Sequence, residues 1–132
     1  MFAVQWQKQF ELGHERIDFE HRIFLGLIRA IADEVERSDN HDKLLRLLRE
    51  VRKYADFHFL SEENIMLDHA YPQFEKHRQE HAALLARLDD NIHDFHSGTL
   101  GIEQIVEFLF QWFALHTTQE DKKLTSYLSG AA

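Results

Sequence analysis

Residues 41–67, HDKLLRLLREVRKYADFHFLSEENIML, decide the fold. Within them Leu44, Leu47, Val51, Tyr54, His58, Glu62 and Ile65 recur at spacings of three and four, the period of one face of an α-helix. The face is apolar for three turns and then turns polar. His58 and Glu62 stand where two further aliphatic residues would have continued it. The basic run from Arg46 to Lys53 is the solvated side of the same helix, opposite Leu47 and Val51.

Three more stripes flank this one. His21, Phe24, Ile28, Ile31 and Val35 form the first, with Asp18 placed as its amino-terminal cap. Phe74, His77, His81, Leu84, Leu88, Ile92 and Phe95 form the third, just after Pro72, which suits a helix start. Ile105, Phe108, Trp112, His116, Glu120, Leu124 and Tyr127 form the fourth. Turn and cap residues interrupt the pattern at Ser38-Asp39-Asn40, Ala70-Tyr71-Pro72 and Ser97-Gly98-Thr99-Leu100-Gly101. Connections this short predict an all-α, antiparallel up-down-up-down four-helix bundle, with helices over about 18–37, 41–67, 73–96 and 102–128. Residues 1–15 form an amino-terminal arm that Trp6 and Phe10 fold onto the bundle, and residues 1–132 read as a single domain.

Polar residues interrupt the four stripes at one level. His21 lies about one turn into the first helix, His58 and Glu62 near the end of the second, His77 and His81 after the start of the third, and His116 in the last third of the fourth. In an up-down-up-down bundle these positions meet at the same end. The pairs His58/Glu62, His77/His81 and His116/Glu120 are four apart, so both members of each share a face. A lone imidazole on such a stripe reads as a hydrogen-bonded core residue. Five of them with at least two carboxylates, buried without a cation, leave groups costing several kcal/mol each. A metal centre removes that cost. Imidazole suits iron, zinc, copper and nickel, carboxylates suit pairs of divalent ions, and the set outnumbers the ligands of an ordinary zinc site, which points to two ions. The ferritin-type pattern of Glu-x-x-His on two helices fails, because its one literal match, Glu11-Leu12-Gly13-His14, lies in the arm.

Composition narrows the partners. The chain has 132 residues and a formal charge of −8, which argues against nucleic acid, whose phosphates call for clustered Lys and Arg. Its apolar runs, such as Ile23 to Ile28, fall far short of the roughly 20 residues a membrane span needs, and no secretory pattern opens the chain. The cytoplasm is the expected compartment. With no cysteine, disulfides, thiolate zinc sites, iron–sulfur clusters and a cysteine nucleophile are excluded.

Trp6, Gly13 with Ile17-Asp18-x-x-His21, Tyr54-x-x-x-His58-Phe59-x-x-Glu62-Glu63-x-x-Met66, Tyr71-Pro72, His77-x-x-x-His81 and Trp112-x-x-x-His116-x-x-x-x-Asp121 together resemble the hemerythrin family, specifically its single-domain bacterial members, over nearly the whole chain. The resemblance implies two iron ions joined by a hydroxo or oxo bridge. On that pattern His77, His81 and His116 hold one iron, His21 and His58 hold the other, and Glu62 and Asp121 bridge them. The second iron keeps an open position where dioxygen would bind reversibly, for storage, delivery or sensing. Helical spacing selects Glu120 as the acid partner of His116, whereas the motif selects Asp121, so Glu120 stays a competing ligand.

Phe24, Phe59, Trp112 and Phe113 lie one residue or one turn from ligands and are expected to wall the open position with apolar surface. Two residues depart from the family pattern. Thr117 stands where a bulky apolar residue is common, and Phe113 where Leu is often found. Binding is expected rather than enzymatic turnover, since only two carboxylates donate. The rivals are a di-iron redox enzyme (a peroxidase, an oxidase or a nitric oxide scavenger), which Thr117 favours, and a metal-free helical interaction module. Glu63 is expected to face solvent or pair between helices. His14, His41, His69, His93 and His96 are expected at the surface.

Overall fold

The computed structural model describes residues 3–38 and 40–130. Met1, Phe2, Asp39, Ala131 and Ala132, which fall in the expected arm, the first break and the end of the chain, lie outside the described residues. The described residues contain helices and no strand: α1 Glu15–Arg37, α2 His41–Asp68, α3 Phe74–Ser97, α4 Ile102–His116 and α5 Lys122–Leu128. A π-helical turn, Thr117–Asp121, joins α4 to α5 so that the two run as one rod. The result is a four-helix bundle, in which α1 packs on α2 and α4, and α2 packs on α3.

The first helix begins three residues earlier than the sequence suggests. His14, half-buried rather than at the surface, is its cap: the His14 Nδ1 accepts the Ile17 N–H at 3.2 Å. Asp18, read as the cap, is buried one turn inside the helix. Its two oxygens accept the Leu12 and Gly13 N–H groups at 2.8 and 2.9 Å. It therefore fastens the arm to the helix instead of starting it. Gly13, at φ +87°, supplies the left-handed turn that brings the arm back to Asp18. Beyond it a short 3-10 turn, Lys8–Phe10, drops Phe10 fully into the core, edge-on to Phe113 at 5.1 Å and Phe110 at 6.3 Å. Trp6 packs on Phe10 and carries the Arg22 guanidinium 4.9 Å above its ring.

The fourth stripe is also displaced. Ile105, Val106, Leu109 and Phe113 are buried, while Phe108, Trp112, Glu120 and Tyr127 lie half-buried at the edge. Residues 105–110 are apolar almost without interruption, so their period alone does not single out one face.

Two apolar clusters bracket the interior. The larger includes Ile28, Ile31, Leu48, Val51, Leu84, Leu88 and Leu109, and fills most of the bundle. The smaller, Ile17, Met66, Tyr71 and Leu124, closes one end. There the Tyr127 hydroxyl donates to the His69 carbonyl at 2.8 Å and ties α5 across the turn between α2 and α3. Ala70 in that turn sits at φ +52°, a conformation that costs a non-glycine residue roughly 1–2 kcal/mol. Ala70→Gly removes that strain and adds about 0.4–1 kcal/mol of unfolded-state entropy to overcome. A small net gain in thermal midpoint is the expected result, and a drop in midpoint would contradict it.

Candidate metal centre

His21, His58, Glu62, His77, His81, His116 and Asp121 are all buried, at 5% exposure or less, in the layer between the two apolar clusters. Each of the five imidazoles turns Nε2 inward. The His116 Nε2 lies 3.2 Å from that of His77 and 3.3 Å from that of His81, a convergence of lone pairs that an imidazole trio adopts around a cation.

The two carboxylates divide their oxygens between two groups of imidazoles. Glu62 directs Oε1 to His77 at 2.7 Å and His81 at 3.3 Å, and Oε2 to His58 at 3.5 Å and His21 at 3.7 Å. Asp121 directs Oδ1 to His77 at 3.0 Å and His116 at 3.2 Å, and Oδ2 to His21 at 3.2 Å. Donor atoms of Glu62, His77, His81, His116 and Asp121 thus form one compact set able to hold a metal ion. Those of His21, His58 and Glu62 form another. Both Glu62 oxygens and the Asp121 Oδ1 are buried without a well-aligned hydrogen-bond donor. Buried carboxylate oxygens left in this state are costly, and a cation among them satisfies all three.

Without metal the layer balances its charge with protons. Burial pushes the His21 and His77 imidazoles down, but the Asp121 and Glu62 carboxylates beside them more than reverse this and raise both to about 10. His81 is raised too, burial again being outweighed by Glu62 and Glu63. Burial and the facing Asp121 push Glu62 up, yet the imidazoles of His21, His77 and His81 hold it below the ordinary carboxylate range. Asp121 is held low in the same way, against burial, by His116, His21 and His77.

The π turn decides which acid reaches the layer. At about 100° per residue, a regular helix would carry position i+5 some 140° away from His116 and leave i+4, Glu120, nearest its face. The wider turn over Thr117–Asp121 absorbs one residue and swings Asp121 back onto the buried side. Glu120 is left at the rim, 3.3 Å from the Lys123 Nζ and 3.8 Å from the Lys76 Nζ. Its candidacy as a ligand is thereby corrected.

The profile of the hemerythrin HHE cation binding domain matches residues 12–128. The chain belongs to the hemerythrin family. Two bacterial hemerythrins named bacteriohemerythrin are similar to it. One, from Clostridium acetobutylicum, is 26% identical over 89% of this chain and 95% of its own length. The other, from Ralstonia nicotianae, is 28% identical over 98% and 91%. The crystal structure of a wild-type hemerythrin shares the fold at a TM-score of 0.81, with 24% identity, over 91% of this chain and 94% of that one.

Aromatic rings surround the layer in this hemerythrin. Phe59 stacks on His81 at 3.9 Å and Trp112 on His116 at 4.4 Å. Phe113 meets His21 edge-on at 5.5 Å, and Phe24 meets His58 at 6.2 Å. Thr117, the residue after His116, is buried. His41, His69, His93 and His96 are exposed, away from the cluster.

Three outer acids escaped the sequence reading in whole or part. The His58 Nδ1 donates to Glu20 at 2.8 Å, the His81 Nδ1 to Glu63 at 2.9 Å and the His116 Nδ1 to Glu80 at 3.2 Å. Glu20 also accepts from Ser61 at 3.0 Å and Arg16 at 3.0 Å, and the Tyr54 hydroxyl donates to its backbone carbonyl at 2.8 Å. Burial pushes Glu20 up, but the bonds from His58, Arg16 and Ser61 hold it below the ordinary range. Glu20 and Glu80 each precede a cluster histidine, and Glu63 follows Glu62. That adjacency is the one sequence signal available for them.

Proposed function

We propose that this hemerythrin binds dioxygen reversibly at a pair of iron ions, as an oxygen store, delivery protein or sensor. His77, His81 and His116 would hold one ion and His21 and His58 the other, with Glu62 and Asp121 spanning both. The observation that carries this reading is the split of each carboxylate, one oxygen toward each group of imidazoles. With two imidazoles against three, the second position would have the fewer protein ligands and would be the one to take dioxygen. Iron held there would supply electrons to dioxygen and take them back on release. The names of the similar bacterial proteins support the same conclusion.

The chain's own residues supply the surroundings. Phe24, Phe59, Phe113 and Trp112 cover the imidazoles with ring surface and keep water from the layer, which favours release of unaltered dioxygen over its reduction. Glu62 and Asp121 offset two of the positive charges brought by metal, in a layer with no other buried acid facing inward among the described residues.

Anaerobic loading with ferrous iron followed by exposure to air tests the proposal. About two irons per chain and an absorption that appears in air and disappears on deoxygenation are the expected results. Permanent oxidation would favour a redox enzyme, and no retained iron would leave a helical interaction module.

Thr117 gives the enzyme reading its one specific observation, a buried hydroxyl-bearing residue adjacent in sequence to His116. Thr117→Ile is expected to lengthen the life of the oxygenated form. Equal decay of the two proteins at the same pH and temperature would remove Thr117 from any part in it.

A further inference from the structure

The outer acids follow a rule. With every Nε2 turned inward, every Nδ1 faces outward, and three of the five find a carboxylate. In each case the acid sits next to a cluster residue on one helix and grips an imidazole of the following helix. Glu20, beside His21 on α1, takes His58 of α2; Glu63, beside Glu62 on α2, takes His81 of α3; Glu80, beside His81 on α3, takes His116 of α4. At the seam between α4 and α1 the acid is Asp121, inside the layer, on the Nε2 of His21. The Nδ1 atoms of His21 and His77 are buried with no partner.

This pattern distributes charge unequally. The trio His77, His81 and His116 carries two outer acids, and the pair His21 and His58 carries one. A carboxylate on the outer nitrogen fixes the ring and makes the inner nitrogen a stronger donor, which favours the more highly charged state of a bound metal. We propose that Glu63 and Glu80 are positioning residues that tune the three-imidazole metal position, raising its metal affinity and easing its oxidation. The inference rests on the two-iron reading given above. Glu63 acts more strongly than Glu80, because its bond is shorter, 2.9 against 3.2 Å, and its side chain less exposed, 19% against 35%.

Both acids lie at the rim, and neither fills the core, so Glu63→Gln and Glu80→Gln remove charge while keeping shape and an acceptor oxygen. Three measurements on each variant test the idea: the thermal midpoint of metal-free protein, iron affinity by chelator competition, and the oxidised-to-reduced ratio at a fixed mediator potential. Small drops in the metal-free midpoint are expected, because both acids also hold imidazoles of the metal-free layer, with an affinity loss of about 10-fold or more that exceeds what those drops account for, as loss of an outer partner typically causes. The oxidised-to-reduced ratio should fall about tenfold in Glu63→Gln, equivalent to 59 mV for a one-electron couple, and less in Glu80→Gln. Iron-loaded variants with the parent's affinity and ratio would overturn the inference and leave the two-iron reading standing. So would affinity losses matched by equal destabilisation of the metal-free protein. A parent protein that retains no iron would overturn both.

Discussion

Asp121→Ala is expected to abolish retention of an iron pair, while Glu120→Ala leaves it intact. The two acids are adjacent in sequence, and the π turn sends them to different places. Asp121 offers Oδ1 to His77 and His116 and Oδ2 to His21, and so touches both groups of imidazoles. Glu120 pairs with Lys123 and Lys76 at the rim, contacts worth roughly 0–1 kcal/mol. Removal of an outer partner alone lowers metal affinity about 10–100-fold, and loss of a carboxylate shared by both groups should exceed the upper figure. Iron per chain after anaerobic loading and desalting measures the difference, with circular dichroism as a check that both variants fold. Equal retention by the two variants, or greater loss in Glu120→Ala, would reverse the assignment.

The second large effect is on the metal-free protein. Protons on His21 and His77 there oppose the charges of Glu62 and Asp121. Both imidazoles rise from 6.5 to about 10, so the stability they contribute is complete below pH 6.5 and is lost as the pH climbs through 10. At 1.36 kcal/mol per pH unit the ceiling for each is about 5 kcal/mol, and the two draw on the same carboxylates, so their sum is smaller. Glu62 and Asp121, held below their ordinary values of 4.5 and 3.8, act in the opposite sense: their contribution is present above those values and disappears on acidification. The metal-free thermal midpoint should therefore be highest between about pH 4.5 and 6.5 and decline steadily toward pH 10. Metal binding displaces these protons, so apparent iron affinity should increase over the same alkaline range. A flat metal-free midpoint between pH 6 and 9.5 would mean that the imidazoles are neutral in the empty layer.

Much of this architecture is legible in the residues. His58/Glu62 and His77/His81 stand four apart on apolar stripes, and helix geometry alone carries them to one level. The bundle follows from the same stripes and from three short breaks. Other features are hidden because they break the period on which such a reading depends. Asp121 needs a turn that is not α-helical, and spacing therefore points to Glu120. Phe108 and Trp112 look central because residues 105–110 are apolar at every position but Glu107, although Val106, Leu109 and Phe113 are the ones buried. Asp18 resembles a cap because caps and arm anchors use the same carboxylate chemistry; only the position of Leu12 and Gly13 tells them apart. Glu20 and Glu80 resemble surface charge, and it is the facing imidazole on the next helix that gives them a role.

The widened turn between α4 and α5 also bears on how this segment can be transplanted. Residues 116–121 are a cassette: His116 and Asp121 keep their shared direction only when the four residues between them travel together in that conformation. Copying the two end residues into a straight host helix would aim one inward and the other sideways. Shortening the cassette by one residue in a straight host would realign them, at about 40° apart.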